Sequence, residues 1–209
     1  MAKPARIARI RLELDDVRPR IWRRLELPLT STLKGLHDAI QAAMPFEDRH
    51  LFEVRIGQDR YRLAAEADAA PDARIWSARA ARLGAFIDRG VTRLAYAYDF
   101  GDDWQFSLTV ETVFEADPGA AWPRYVDGAG RAPPEDVGGP PGFAVFLEAI
   151  GDPAPPEHRQ MRDWHPAPFD PKTPDEAAIQ ARMSALAERR ARGRAGFEKS
   201  QAGKPGSSD

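Results

Sequence analysis

The chain has 209 residues, with 30 Lys and Arg against 32 Asp and Glu, and a formal net charge of −2. It contains no cysteine, which excludes disulfide scaffolds, zinc sites built on thiolates and thiol nucleophiles. No apolar run approaches the roughly 20 residues that a membrane-spanning helix needs, and the first residues alternate like a strand rather than forming a signal peptide. We therefore expect a cytoplasmic protein with no membrane partner.

The first third of the chain predicts two strands and a helix. Residues 6–14 alternate between apolar and charged side chains, and residues 21–27 repeat the pattern, so the two segments predict an antiparallel pair. From Thr32, apolar residues recur at helical spacing behind a hydroxyl side chain that can cap the helix. This pattern predicts a helix over 32–44, which Pro45 ends.

The middle of the chain predicts short strands separated by loops. Alternation returns over 50–57, and a turn leads to a short strand at 61–63. Residues 64–79 have no clear period, so they predict a loop anchored by one aromatic side chain, Trp76. A short helix is expected over 80–88.

The clearest strand pair lies near residue 100. Residues 93–100 and 104–113 flank the turn Gly101-Asp102-Asp103, and the second segment alternates cleanly, which predicts a hairpin. The following residues, 116–142, are dense in proline and glycine. We expect them to form a packed loop without regular structure.

The C-terminal part predicts helices. One follows Pro140-Pro141 and runs to about residue 150, a helical turn covers 157–164, and a longer helix begins at a capping box at Thr173. We predict one α+β domain over 1–192, with an antiparallel or mixed sheet and four or five helices. Residues 193–209 are predicted to be a disordered tail.

Known catalytic signatures are absent from the sequence. There is no phosphate-binding Walker loop, no nucleophile elbow and no His-Glu-x-x-His. The remaining candidates for a catalytic or divalent-cation site are carboxylates in turns and one nearby histidine: His50, Asp99, Asp102, Glu135 and Asp136. In a chain without asparagine, aspartate is also the natural turn former, so the same residues fit a structural role.

Basic residues are concentrated near the N-terminus. Candidates for nucleic-acid binding on the first two strands are Arg9, Arg11, Arg20, Trp22, Arg23 and Arg24. Arginines on a sheet face can contact phosphates while an aromatic side chain stacks on a base. The isoelectric point of about 6.1 and the acidic residues over 98–171 argue against this function.

Three ordered motifs identify a family resemblance. They are Ile7 to Arg24, with its Asp-Val-Arg-Pro-Arg-Ile-Trp-Arg-Arg ending, Tyr96 to Trp104 (YAYDFGDDW), and Pro133 to Gly142 (PPEDVGGPPG). Together they resemble the Ri-plasmid ORF-three-like family over about residues 5–190. The resemblance implies a bacterial and archaeal α+β domain that occurs in mobile-element contexts, with no assigned activity.

The chain departs from that family pattern at several positions. Relatives often carry histidine or cysteine at five positions that are aromatic or aliphatic here: Phe52, Phe106, Tyr125, Ala132 and Val137. The resemblance implies a soft-metal site in those relatives. We expect the five residues to converge within roughly 12 Å in this chain, where an apolar core would replace the metal.

Two functions remain open from the sequence. The first is a non-enzymatic binding module, without a cofactor, that recognises a protein or nucleic-acid partner. The second is a metal-dependent hydrolase or nuclease that uses Asp99, Asp102, Glu135 and Asp136, with His50, around a divalent cation. Convergence of several of these groups at one concave pocket would favour the enzyme.

Overall fold

The computed structural model describes residues 4–63, 74–154 and 156–202. In these residues, eight strands form one mixed sheet and five helices accompany it. The strands are β1 Arg6–Leu14, β2 Ile21–Pro28, β3 Phe52–Ile56, β4 Asp59–Arg62, β5 Ile75–Ser77, β6 Arg93–Tyr98, β7 Trp104–Glu115 and β8 Arg124–Ala129. The helices are α1 Leu33–Ala43, α2 Leu83–Ile87, α3 Gly139–Gly151, α4 Pro156–Trp164 and α5 Glu176–Ala202.

The sheet has the order β5-β4-β3-β6-β7-β1-β2-β8. All neighbours are antiparallel except β4 and β5, which are parallel. The predicted hairpins are present: β1 pairs with β2, and β6 pairs with β7 so that Tyr98 lies opposite Trp104. The predicted α+β fold is confirmed; of the alternatives left open, the described residues show a mixed sheet and five helices.

Alternation in β1 places its apolar side chains in the core. Ile10, Leu12 and Leu14 are buried, whereas Arg11 and Glu13 between them remain partly exposed. Burial of one large aliphatic side chain contributes about 1.5–3 kcal/mol. Helix α1 packs its apolar face into the same core, and its first turn is capped by Thr32, whose hydroxyl accepts the N–H of Gly35 at 3.0 Å.

Strand β8 lies within the segment that was predicted to lack regular structure. It follows Pro123 and pairs antiparallel with β2 at the edge of the sheet. A Cβ at Gly128 would lie 2.6 Å from the carbonyl oxygen of Trp22, so glycine is needed for this close approach. The expectation was wrong because glycine was taken to break the strand, whereas here it permits pairing.

Strand β5 lies within residues 64–79, which were predicted to be a loop. Ile75–Ser77 pair in parallel with β4 at the other edge of the sheet, and three residues are too few to show a period. Trp76 is 54% exposed rather than anchored, which corrects that expectation. Residues 64–73 of the predicted loop lie outside the described residues.

Helix α5 continues past the predicted boundary at residue 192 and ends at Ala202. Its last ten residues lack an apolar stripe, but they contain no proline, and the six that are arginine, alanine, glutamate, lysine or glutamine favour helix despite two glycines. Residues 193–202 are therefore helical where a disordered tail was predicted, and 203–209 lie outside the described residues. Across the described parts of the chain, no helix has the length and apolar character needed to cross a bilayer.

Candidate functional site

The turn between β6 and β7 fixes Asp99 in place. Asp99 adopts a left-handed backbone, with φ of 53°, a conformation that aspartate tolerates better than most residues. Its Oδ1 accepts the backbone N–H groups of Gly101 at 3.0 Å and Asp102 at 3.3 Å. With Oδ1 held by the turn, Oδ2 lies 3.5 Å from His50 Nε2.

His50 precedes β3 and faces three carboxylates, which with it form what we call the His50 cluster: His50, Asp99, Glu135 and Asp136. From His50 Nε2, the distances are 2.9 Å to Asp136 Oδ1, 3.5 Å to Asp99 Oδ2 and 3.7 Å to Glu135 Oε1. One imidazole N–H donates well to a single acceptor. Within the described residues, no lysine or arginine forms an ion pair with these three carboxylates, and His50 is their shared neighbour.

Glu135 is held by two further donors. The Tyr98 hydroxyl donates to Oε1 at 2.6 Å, and the backbone N–H of Glu47 donates to Oε2 at 3.2 Å. Burial, and then the adjacent Glu135 carboxylate, raise the pKa of Tyr98 well above its usual value, so the phenol stays protonated and donates. Glu135 therefore has a fixed orientation in the cluster.

Asp102 does not join the other four predicted site residues. Its Oδ2 instead accepts the N–H of Gly138 at 3.1 Å, and its carbonyl oxygen would be 2.2 Å from a Cβ at Gly139. Through these contacts, the loop that contains Glu135 and Asp136 packs against the β6–β7 turn. Asp102 thus positions the cluster, which corrects its predicted place among the reacting carboxylates.

The cluster has the spacing of a metal site. Metal–ligand bonds of about 2.0–2.2 Å that meet at roughly 90–110° place neighbouring ligand atoms about 3.0–3.5 Å apart. Ligand atoms of His50, Asp99 and Asp136 all lie within 4.8 Å of one another, and two of the distances from His50 Nε2 are 2.9 and 3.5 Å. One imidazole nitrogen with carboxylate oxygens suits Mn²⁺ or Zn²⁺ better than Ca²⁺.

A second histidine lies in a closed network that the sequence did not reveal. We call it the His37 network: Lys34, His37, Gln41, Asp48 and Tyr96. The His37 ring accepts or donates at both nitrogens, with Nε2 2.7 Å from Asp48 Oδ1 and Nδ1 2.9 Å from the Tyr96 hydroxyl. Gln41 completes the cycle of hydrogen bonds, because its Nε2 donates to the Tyr96 hydroxyl at 3.1 Å and its Oε1 accepts the Asp48 N–H at 3.0 Å.

The carboxylates around His37 already have a cationic partner, Lys34. Burial lowers the pKa of His37, and the hydrogen bond from His37 is the main reason that the pKa of Asp48 falls to about 2. Lys34 Nζ lies 2.7 Å from Asp38 and 3.2 Å from Asp48. Its ammonium therefore already pairs with two of the three side chains that are close enough together to hold a metal there.

A cleft of about 430 Å³ adjoins the His50 cluster and shares Glu135 and Asp136 with it. Its other lining includes Arg23, Arg49, Arg131, Trp164, His165 and Phe169. Volumes of roughly 300–1,000 Å³ are usual for small-molecule sites. Four of the five predicted carboxylate and histidine candidates therefore converge beside a concave surface.

The predicted nucleic-acid face is not a free basic surface. Each outward arginine has a carboxylate partner: Arg9 with Glu26, Arg11 and Arg20 with Glu13, and Arg24 with Glu111 and Asp127. The Trp22 ring is covered by the guanidinium groups of Arg11 at 4.0 Å and Arg24 at 5.3 Å. Phosphate contacts would have to displace these partners.

Arg23 is separated from the other predicted nucleic-acid residues. It alternates with Trp22 and Arg24 along β2, so its side chain points to the buried side, where it is 0% exposed. Burial lowers its pKa to about 10, which leaves it cationic at neutral pH. Arg23 is a lining residue of the cleft rather than part of an exposed basic face.

The five positions expected to converge as an apolar replacement for a metal site do not meet. Phe52 is in β3 and stacks on His37 at 3.8 Å, whereas Tyr125 is in β8, five strand positions away in the sheet order. At about 4.8 Å per strand, this is roughly 24 Å along the sheet. Phe106, Ala132 and Val137 therefore cannot share one small site with both residues, and the expectation is wrong.

The fold and the site define a class: an α+β protein whose mixed sheet carries a histidine–carboxylate cluster beside a cleft. The chain belongs to the plasmid pRiA4b ORF-3-like protein family, whose model matches residues 6–178, and the resemblance found in the motifs is confirmed. It is 39% identical to the uncharacterised protein y4hQ of Sinorhizobium fredii over 162 residues, which cover 77% of this chain and 81% of that protein.

A solved structure is also similar. The crystal structure of MM3350, a protein of unknown function from Methanosarcina mazei Go1, matches with a TM-score of 0.74 and 29% identity. The match covers 81% of this chain and 95% of that chain. The similarity extends over nearly the whole of that protein, so the two proteins share a fold.

Proposed function

We propose that this protein is a metal-dependent hydrolase whose divalent cation binds at the His50 cluster and serves a ligand in the adjoining cleft. The observation that carries the proposal is the crowding of three carboxylate oxygens around one imidazole nitrogen. One imidazole N–H serves a single acceptor well, whereas a divalent cation can be shared by the imidazole and several carboxylates.

Exposure and orientation support the assignment of roles. The Asp99 side chain is 12% exposed and that of Asp136 is 56% exposed, so the site is anchored on one side and open on the other. A cation there supplies Lewis acidity toward a substrate oxygen. Glu135 borders both the cluster and the cleft, which places its carboxylate to accept a proton from an attacking water.

A binding module that uses the basic strand face is less well supported. Its arginines are paired with carboxylates of the same sheet, and Arg23 lies on the opposite side. The cluster and the cleft, by contrast, combine a fixed set of ligand atoms with a space for a small molecule. The enzyme hypothesis therefore accounts for more of the arrangement.

The first test is calorimetric titration of chelator-treated protein with Mn²⁺, Zn²⁺, Mg²⁺ and Ca²⁺ in turn. We expect one equivalent of Mn²⁺ or Zn²⁺ to bind, with weaker Mg²⁺ and Ca²⁺ binding. Asp99→Asn should weaken binding at least about tenfold because a charged ligand is lost. Asp103→Asn, in the same turn but outside the cluster, is the matched control. No binding of any of the four metals would refute the metal site.

The second test measures hydrolysis of p-nitrophenyl phosphate and bis(p-nitrophenyl) phosphate with bound Mn²⁺. We expect turnover that Asp99→Asn removes and that Glu135→Gln lowers about 10²-fold or more while the metal stays bound. Metal binding without turnover of either compound, or turnover that Asp99→Asn leaves unchanged, would contradict the assignment as a hydrolase of phosphate esters.

A further inference from the structure

Arg23 carries a buried positive charge that forms no ion pair in the part of the chain that the structure describes, although Glu176 acts on it electrostatically. Its Nε donates to the carbonyl of Ala43 at 3.0 Å, and its Nη1 donates to the carbonyls of Trp22 at 2.8 Å and Ala129 at 2.9 Å. Its Nη2 has no hydrogen-bond partner in the described structure. A guanidinium has five N–H donors, and a buried one without an anion is costly.

The other two arginines of the cleft already have partners. Arg131 Nη2 lies 3.0 Å from Asp175 Oδ2, and Arg49 is paired with Glu47. Their charges are largely offset within the protein. Among the described arginines of the cleft, the unsatisfied donor therefore belongs to Arg23, and the second source of positive charge is the cation proposed for the His50 cluster.

One wall of the cleft is aromatic. Trp164, His165 and Phe169 pack edge-on around Phe146, with ring centroids 5.9, 5.7 and 5.0 Å from it. Trp164 remains 47% exposed, although it packs on this group. An exposed ring at a cleft offers a face on which a planar group of a ligand can stack.

We propose that the cleft binds a phosphate-bearing ligand with a planar ring, the chemistry of a nucleoside monophosphate. Its phosphate would lie between Arg23 Nη2 and the cation of the His50 cluster, and its ring would lie against Trp164. The proposal rests on the proposed function for the second positive charge. Glu135 and Asp136 repel a phosphate when no metal is bound, so metal and phosphate must strengthen each other's binding reciprocally.

The test is calorimetric titration with adenosine monophosphate, ribose 5-phosphate and inorganic phosphate, each with and without Mn²⁺. We expect Mn²⁺ to tighten the binding of all three at least about fivefold. Adenosine monophosphate should bind about tenfold more tightly than ribose 5-phosphate because its ring stacks. Arg23→Met should weaken all three about tenfold or more, whereas Trp164→Ala should weaken adenosine monophosphate alone.

Controls separate this inference from the proposed function. Arg23→Met should keep its Mn²⁺ binding and its circular dichroism spectrum; if it does not fold, Arg23→Lys, which keeps the charge but loses the fork of donors, replaces it. Normal Mn²⁺ binding with no phosphate binding at millimolar concentration would overturn the inference and leave the metal site intact. Phosphate binding that depends on Arg23 but not on Mn²⁺ would support the phosphate site and refute the metal contribution. Equal affinity for all three compounds would overturn the ring contact.

Discussion

The His37 network and the His50 cluster use the same residue types for different ends. Each histidine meets an aspartate through Nε2, at 2.7 Å for Asp48 and 2.9 Å for Asp136. Around His37 both ring nitrogens have a partner, and Lys34 pairs with the nearby carboxylates. Around His50 three carboxylates compete for one nitrogen. The balance of donors, acceptors and charge, rather than residue type, separates a structural network from a candidate metal site.

Burial reinforces this difference. The His37 side chain is 0% exposed and stacks on Phe52, whereas the His50 side chain is 30% exposed. A buried and satisfied network stabilises the fold. A partly exposed and unbalanced cluster contributes little to stability until a ligand binds it.

The largest effect that tests the comparison is on stability. His37→Ala removes a packed ring and, with it, one hydrogen-bond partner each of the Tyr96 hydroxyl and of Asp48 Oδ1, so we expect a loss of about 3 kcal/mol in the free energy of unfolding. His50→Ala should cost less than about 1 kcal/mol. Urea unfolding of both variants measures the difference. A loss for His50→Ala as large as that for His37→Ala would erase the distinction.

Metal binding should affect only one of the two regions. With Mn²⁺ at about 100 times its Kd, the free energy of unfolding should rise by about 2.7 kcal/mol. Asp99→Asn should abolish the increase, and Asp38→Asn, from the other histidine–aspartate group, should keep it. Denaturant unfolding with and without Mn²⁺ measures this. If Mn²⁺ no longer raised the free energy of unfolding of Asp38→Asn, the metal would bind near His37 and not at the His50 cluster.

Acid should weaken the His37 network in two stages. Because the folded pKa of His37 lies below its unfolded value, the neutral ring stabilises the fold above about pH 6.5, and this contribution falls as the pH drops. Asp48, with a folded pKa of about 2, contributes stability above about pH 4 that is lost between about pH 4 and 2.

The second stage, the loss of the Asp48 contribution below about pH 4, is the easier of the two to isolate. Asp48 is half exposed, so solvent screening reduces its share to about 1 kcal/mol. Asp48→Asn should flatten the decline in unfolding free energy between about pH 4 and 2. Unfolding measured in steps from pH 7 to pH 2.5 tests it. An unchanged slope in the variant would show that other carboxylates dominate the acid response.

The smallest effect concerns the sheet face that lies outside both histidine sites. Arg24→Ala removes ion pairs with Glu111 and Asp127 and should cost about 0.5–1 kcal/mol of stability. It should not change the affinity for duplex DNA measured by fluorescence anisotropy. A clear drop in DNA affinity would restore the nucleic-acid function that the paired arginines disfavour.

Local patterns were sufficient for much of the fold. The alternation in β1 and the helical spacing in α1 follow directly from side-chain burial. Strands β5 and β8 were not predicted because edge strands are defined by their neighbours, β4 and β2, more than by their own sequence. The far end of α5 was not predicted because hydrophobic period is a poor guide to a helix with no apolar face.

The site was predictable in its residues but not in its assembly. His50, Asp99, Glu135 and Asp136 were candidates by residue type, yet His50 and Asp136 are 86 positions apart in the chain. The pairing of His37 with Tyr96 spans 59 positions and leaves no local mark. Arg23 was assigned to the wrong face, although the alternation of β2 places it with Ile21 and Leu25.

The tight seating of Gly138 and Gly139 against Asp102 has an evolutionary consequence. Two motifs that are far apart in the sequence, around residues 99–103 and 133–142, behave mechanically as one unit because their backbones touch. Insertions should be tolerated in the exposed stretch around Gly119, where a Cβ would meet nothing within 4 Å. An insertion of a single residue inside either motif should instead shift the contact and disable both motifs together.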